Sequence, residues 1–428
     1  MTAPLPGLRD ISKALMMNNN IRVLALTGLI SGFYLSILNG GMLQYFVPSL
    51  GFSIATLGLL TSIGGKFNGI VASVVQPFAG MYADAQGRKV VVILGSATTI
   101  ASMLLFLGAA LTSNFALLLL AFLLYGLSTV GSPASQALIA ESVGIDPERM
   151  GQAYGAVFLL TIAPGVVTPF IGGVIIDQYG YYLIFVAASL LESVNLYLYA
   201  KHLRETLRPS RQGPEGPKRM TLRESLRIPS GLSGIFATFG VDAFAFSVTG
   251  SIIYAIMSNR YGLTAAEIGL VVGAQNLTII LSQYPATRLL SLIGAKKTLA
   301  ISEALGAFLM VGWAFADTLI LFVLLGILFG VSVATWVPGY QSMLMAMAPE
   351  TERGSVGGKF AAVRGLVAFP APFFGGLLYQ YVGFWTPMLA SFVGAILATV
   401  LILKLVPNAR RPMVREPAAV RPGSASAN

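Results

Sequence analysis

Apolar residues run in long stretches, separated by short charged or turn-rich segments. A helix that crosses hydrocarbon needs about 20 mostly apolar residues. Twelve stretches approach or exceed that length: 22–46, 54–82, 89–111, 115–142, 150–175, 181–203, 231–258, 265–291, 297–315, 319–347, 354–380 and 384–406. The pattern predicts an all-α membrane protein of twelve transmembrane helices. Polar positions inside the stretches recur at helical spacing. Span two carries Ser62, Lys66, Gly69, Ser73 and Gln76, steps of four and three that mark one helical face. Span one offers Ser36 and Asn39, and span four offers Tyr125, Ser128, Ser132 and Ser135, with Gln136 beside them. Span eight offers Gln275, Asn276 and Ser282, and span ten offers Ser332, Trp336 and Tyr340. A polar face on a lipid-bathed helix lines water or another helix, so these faces predict a wet cavity.

Composition excludes a soluble alternative. Charged residues are 10% of 428 and hydrophobic residues 55%, where soluble domains average roughly 25% charged. There is no Cys and a single His, His202. Disulfides, thiolate metal sites and Cys nucleophiles are therefore absent, and no cofactor or metal is expected. Residues 1–20 lack an apolar core followed by a small-residue cleavage site, so no removable signal peptide is expected.

The net charge of +10 would suit nucleic acid, but its placement does not. With the N-terminus inside, 25 of the 27 Lys and Arg fall at or near the inner face. Arg260 lies in an outer loop and Lys66 inside a span. This is the positive-inside signature of a multi-pass protein, and it predicts cytoplasmic termini and an inner-membrane location. The positive charge then orients the chain and meets anionic lipid, and nucleic acid is not a predicted partner.

The polar stretch 203–229 separates six spans from six. The predicted division is an N-terminal six-helix bundle (1–203), a cytoplasmic linker (204–228), a C-terminal six-helix bundle (229–406) and a disordered tail (407–428). The halves also repeat each other. Gly126 aligns with Gly330, Ser128 with Ser332 and Gln136 with Gln341. Pro169, Gly172 and Gly173 align with Pro372, Gly375 and Gly376, and all offsets fall between 203 and 205. Parallel six-span repeats are a transporter architecture.

Between spans two and three stand Gly80, Asp84, Gly87, Arg88 and Lys89. They fit G-x-x-x-D-x-x-G-R-K, and here the chain resembles the major facilitator superfamily along nearly its whole length. The resemblance implies two pseudo-symmetric bundles, alternating access and a small-molecule substrate. It also implies a monomer and a loop that latches the cytoplasmic side shut. Asp84 would pair with Arg88 or face a helix N-terminus, Glu141 would extend the cluster, and the latch partner would be 354–358. The second-half copy is degraded: Gly294 and Lys296 remain, but Ser291 replaces the acid. Span five carries Thr168, Pro169, Gly172 and Gly173, which resemble the G-P-x-x-G-G element of proton-exchanging exporters. Pro bends a helix and paired Gly admits a neighbour. Because span eleven repeats the element, a kink common to any such transporter explains it equally. Two features of familiar proton-linked drug exporters are missing, an acid in span one and an Arg in span four, where Phe122 stands.

A charge near mid-bilayer costs about 2.5–3.5 kcal/mol on insertion scales. Lys66 and Asp242 are placed there, Asp242 with Thr249 on about the same face, and Arg364 lies a third to half of the way into span eleven. The functional expectation is that Lys66 and Arg364 are cationic cavity groups and Asp242 a proton-exchanging acid. The structural alternative is a buried Lys66–Asp242 or Arg364–Asp242 pair that only fixes packing. Glu192 and Glu303 also look buried, on spans that usually support the cavity. The reading that results is proton-coupled efflux of a drug-like compound or metabolite, with proton symport of an anionic organic solute as the alternative. One His, no Cys and scattered acids argue against an enzyme.

Overall fold

The computed structural model describes residues 15–16, 18–144, 147–207, 228, 231–347 and 353–406. Most of the predicted linker and the whole predicted tail lie outside the described residues. Among the described residues every regular element is helical. In chain order the α-helices are α1 (Asn19–Ile37), α2 (Leu43–Ser49), α3 (Ile54–Gly64), α4 (Ile70–Gln86), α5 (Arg88–Thr112), α6 (Phe115–Leu127), α7 (Gly131–Val143), α8 (Pro147–Ile162) and α9 (Thr168–Tyr179). They continue with α10 (Tyr182–His202), α11 (Ser233–Gly250), α12 (Ile253–Tyr261), α13 (Ala265–Ile293), α14 (Ala295–Phe315), α15 (Leu319–Met347), α16 (Arg353–Ala368), α17 (Ala371–Tyr381) and α18 (Thr386–Leu405).

Local chemistry starts and stops these helices. Ser53 caps α3 by accepting from the Thr56 N–H, and Asn114 caps α6. Thr264 and Glu267 form a reciprocal capping box at α13. Leu26, Phe33, Leu104, Leu190, Phe308 and Leu397 are exposed, as lipid-facing positions should be.

Ten helical segments among the described residues are long and apolar enough to cross a membrane. Counting the pair Gln152–Val166 and Thr168–Tyr179, bent by 41°, gives eleven. Span two is the predicted crossing that fails the count, because α3 and α4 are separate and short. Gly65 (ψ 137°) ends α3 and Gly69 (ψ 145°) precedes α4, both in extended conformation. The predicted continuous face from Ser62 to Gln76 is therefore broken at its centre, and Lys66 sits in the non-helical link. The link is too tight for side chains at its ends, since a Cβ at Gly65 would lie 2.6 Å from the Thr61 carbonyl oxygen and one at Gly69 would meet the Gly65 carbonyl; spacing alone could not show it.

The proline–glycine elements explain how the two halves of the chain meet. Pro169 and Pro372 each lie in the first turn of a helix, α9 and α17, where the missing N–H costs nothing. The span-five bend lies just upstream, at the 3₁₀ turn Ala163–Val166. The glycines that follow are contact points. A Cβ at Gly173 would come within 2.3 Å of the Ala265 carbonyl oxygen, and one at Gly376 within 2.7 Å of Ala55 Cα. Gly172 meets Ile37 and Gly375 meets the Val248 carbonyl. Thus α9 lies against α13, and α17 against α3, in matching fashion. Asp177 reinforces the first seam by accepting the Ala265 and Ala266 N–H groups, both at 2.9 Å. The Phe373 N–H donates to Ser62 Oγ across the second, at 3.1 Å.

The reciprocal glycines supply a test. A Cβ at Gly58 or at Gly269 would lie 2.2 Å from the carbonyl oxygen of Pro372 or Pro169, respectively. Gly58→Val and Gly269→Val should each destabilise the folded chain by about 1–3 kcal/mol, read as a lowered Tm in detergent. Unchanged Tm values in both would contradict the close seams.

Candidate functional site

The loop between α4 and α5 is built around Gly87. Its φ of 111° joins the end of one helix to the start of the next, a conformation that disfavours any residue with a Cβ. Arg88 then turns inward, with Nη2 2.7 Å from Asp84 Oδ1 and 2.9 Å from Glu141 Oε1, while Nη1 donates to the Ala83 carbonyl at 2.8 Å. Lys89 Nζ donates to the Ala200 carbonyl at 2.7 Å. Asp84, Arg88 and Glu141 are therefore one cluster, with Asp84 taking the Arg88 alternative. No neighbouring atom would meet a Cβ at Gly80.

Further partners come from the start of the linker. Glu205, just past α10, accepts the backbone N–H groups of Arg88 and Lys89, both at 3.0 Å. Thr206 Oγ1 donates to Glu141 Oε2. The expected latch partner, 354–358, has most of its side chains outside the described residues. Glu205 carries no signal of its own, because nothing in its sequence neighbourhood links it to a helix start more than a hundred residues away.

Between the halves lies a cavity of about 390 Å³, whose wall includes Asn39, Thr61, Lys66, Asn68, Tyr125 and Arg364. The charged side chains on that wall are Lys66 and Arg364. Lys66 makes no ion pair among the described residues, and its Nζ stands 4.3 Å above the Tyr125 ring. Tyr125 in turn donates to Asn39 Oδ1. Lys66 also borders a second cavity of about 600 Å³ inside the N-terminal half, which contains Ser132, Gln136 and Glu192. Ser132 and Gln136 are thus set apart from the central wall. Glu192 is fully engaged by Tyr34 (2.7 Å), Ser96 (2.6 Å) and Asn195 (2.9 Å), an arrangement that holds helices together.

Arg364 faces the central cavity on one side and Asp242 on the other. Its Nη2 is 3.5 Å from Asp242 Oδ2, and the Asp242 side chain is only 3% exposed. Of the two possible pairs, Arg364–Asp242 is the one formed. The guanidinium also lies 5.1 Å from the centre of the Trp336 ring. Asp242, Trp336 and Arg364 line a side pocket of about 220 Å³.

Other expected cavity groups are committed to packing. Asn276 donates to the Gly165 carbonyl at 2.7 Å and ties α13 to the span-five turn. Tyr340 stacks among Trp336, Phe239 and Phe360. Thr249 pairs with Ser391 on α18. Helical spacing identifies a polar face but leaves open whether water or a neighbouring helix meets it. Pro169, Gly172 and Gly173, with Pro372, Gly375 and Gly376, lie in the seams.

Comparison with known proteins fits this geometry. A family model described as Major Facilitator Superfamily matches residues 24–242 and again 235–426. The multi-drug resistance efflux pump PmrA of Streptococcus pneumoniae serotype 4 is 25% identical over 336 residues, 78% of this chain and 82% of that protein. The multidrug resistance protein MdtG of Enterobacter lignolyticus is 24% identical over 346 residues, 80% and 81% of the two chains. Among solved structures, a mutant of the nucleoside transporter NupG superposes with a TM-score of 0.72 at 13% identity, covering 91% of this chain and all of that one. A D-xylose-proton symporter gives 0.68 at 17% identity, covering 92% and 98%.

Glu205 gives this cluster a pH signature. Burial pushes its carboxyl up, but four backbone N–H groups, from Leu207, Lys89, Arg88 and Thr206, outweigh that and hold it below its ordinary 4.5. A carboxyl depressed in the folded state contributes stability above that value, and the contribution is lost as pH falls through the folded value. Between neutral pH and pH 4, the Tm of the parent chain should therefore fall further than that of Glu205→Gln. Parallel Tm–pH curves would show that the carboxylate adds nothing there.

Proposed function

The chain belongs to the major facilitator superfamily, and from that premise we propose that it exports a drug-like compound or metabolite in exchange for protons. It is a secondary transporter and a multi-pass inner-membrane protein, not an enzyme. Efflux is supported by the relatives, which are named as multidrug efflux and resistance proteins; the span-five proline–glycine element leans the same way only mildly, because span eleven repeats it.

The observation that carries proton coupling is the Asp242–Arg364 pair at the edge of the central cavity. A carboxylate that holds its cation only at 3.5 Å, where that cation lines the central cavity, is placed to exchange it for a proton. When Asp242 takes a proton, Arg364 loses its counter-charge and turns its full charge to the cavity. When the proton leaves, the pair re-forms. A cationic substrate is repelled by the freed guanidinium while the proton is bound and is tolerated once the pair re-forms, so proton and substrate occupancy oppose each other, which is the requirement for exchange. The halves 1–203 and 229–406, joined by 204–228, would rock about the seams. The cluster of Asp84, Arg88, Glu141 and Glu205 would hold one end of the N-terminal half rigid. We read the working unit as a monomer.

A second reading is favoured by the wall charges. Lys66 and Arg364 are both cations, and an unpaired ammonium in a cavity favours an anion. On this reading the chain imports an anionic organic solute together with protons.

Two measurements test these readings. In proteoliposomes under an imposed pH gradient, Asp242→Asn should abolish gradient-driven ethidium transport while leaving ethidium counterflow intact; retained gradient-driven transport would remove the coupling role. A benzoate and salicylate series should raise the Tm of the parent chain and not of Lys66→Ala. Equal stabilisation of both proteins would eliminate the anion reading.

A further inference from the structure

Behind Trp336 lies a second acid that the cavity-facing pattern of polar residues does not reach. Glu303, on α14, is 0% exposed. Its Oε1 accepts the Trp336 indole N–H at 2.6 Å. Its Oε2 has no hydrogen-bond donor. The Trp336 ring that it holds stands 5.1 Å from the Arg364 guanidinium, which pairs with Asp242, and the two carboxyls interact as neighbours. The three ionisable groups stand in file from the cavity inward: Arg364 with its side chain 33% exposed, Asp242 at 3%, then Glu303.

Charge and hydrogen bonding both constrain this file. Ionised carboxylates only accept. Two of them side by side repel and leave Oε2 buried without a donor, and an unsatisfied buried polar atom is costly, more so when charged. One proton resolves both problems. It turns one carboxyl into a donor toward the other, and it leaves a single negative charge opposite the single guanidinium. The unit is then neutral, the state that a low-dielectric interior tolerates best.

Among the described residues no other charge nearby alters the balance. Helix α15, which supplies Trp336, carries no charged residue. Helix α18 packs on α14 and carries only Lys404, in its last turn. Helix α13 carries Glu267 and Arg288 near its ends. On α14 itself, Lys296 and Lys297 lie in the first turn. Asp242 comes from α11, and Arg364 from α16, whose other charged residues, Arg353 and Lys359, lie nearer its start.

We propose that Asp242 and Glu303 form one proton-sharing carboxyl pair, with Glu303 as its inner member and Arg364 as its cavity-side counter-ion. This rests on reading Asp242 as the coupling acid. The resting pair holds one proton. A second proton arriving from the cavity adds to the remaining carboxylate, breaks the ion pair and frees Arg364; its departure restores the pair. Glu303 touches neither cavity in this arrangement. It acts by keeping Asp242 in a two-step titration, so one proton stays bound while the other exchanges.

Infrared spectroscopy of the full chain in detergent tests this without a substrate. A protonated-carboxyl carbonyl band should be present in the parent chain at neutral pH, and a second should appear on acidification. Glu303→Gln keeps an oxygen for Trp336 and places N–H groups toward Asp242, so the neutral-pH band should be lost while the thermal unfolding transition is retained. A band that persists in Glu303→Gln overturns the proposal. So does the absence of any such band in the parent chain at neutral pH, a result that needs no variant to fold. Failure of the coupling reading is separately visible: Asp242→Asn would keep gradient-driven ethidium transport whatever the infrared result.

Discussion

Hydrocarbon offers a charge neither water nor counter-ions, so each charge placed there must find its partner inside the protein. Much of this structure follows from how a few charges meet that demand. Glu192 is surrounded by three donors and becomes part of the scaffold. Arg88 is drawn to Asp84 and Glu141 and fixes the loop between α4 and α5. Among the described residues Lys66 meets the Tyr125 ring and no carboxylate, and Arg364 meets one carboxylate oxygen at 3.5 Å and the Trp336 ring. The charges with the least complete partners border the central cavity, where water or a substrate completes them.

The second constraint is how closely helices must approach to enclose that cavity. In lipid, helix association relies on packing, because apolar side chains are equally well solvated by lipid tails. The glycines of α3, α9, α13 and α17 bring one backbone against another across the two halves. Both seams use the same proline–glycine element, so the internal repeat has a mechanical consequence. Rigid contacts of this kind are the elements that must separate if access alternates, and the polar bonds of Asp177 and Ser62 lie within them.

Much of the fold is legible in the order of residues along the chain. The apolar runs place nearly every helix, and the loop motif points to the family that the comparisons support. Depth within a span is enough to single out Asp242 and Arg364, and they are paired. Other expectations from spacing are harder to read for one reason: a face has no identity until its neighbour is known. Asn276 and Tyr340 have the spacing of cavity groups and make packing contacts with a neighbouring helix turn and with aromatic rings. The face through Lys66 looks continuous in the sequence and is interrupted by two extended glycines. Glu205 and Glu303 carry little local signal, because what makes them notable is a partner distant in sequence.

The sequence by itself determined the solvent, the helical class, the repeat and the charge asymmetry. All four depend on composition and on order along the chain, since burying about 20 apolar residues in lipid leaves few other options. Only the tertiary structure decided which charges are satisfied. That depends on distances between residues a hundred or more positions apart, at Arg88 and Glu205 or at Asp242 and Arg364. Ion pairs and hydrogen bonds are short-ranged and directional, so a difference of an ångström or two separates a structural contact from a group left free to bind.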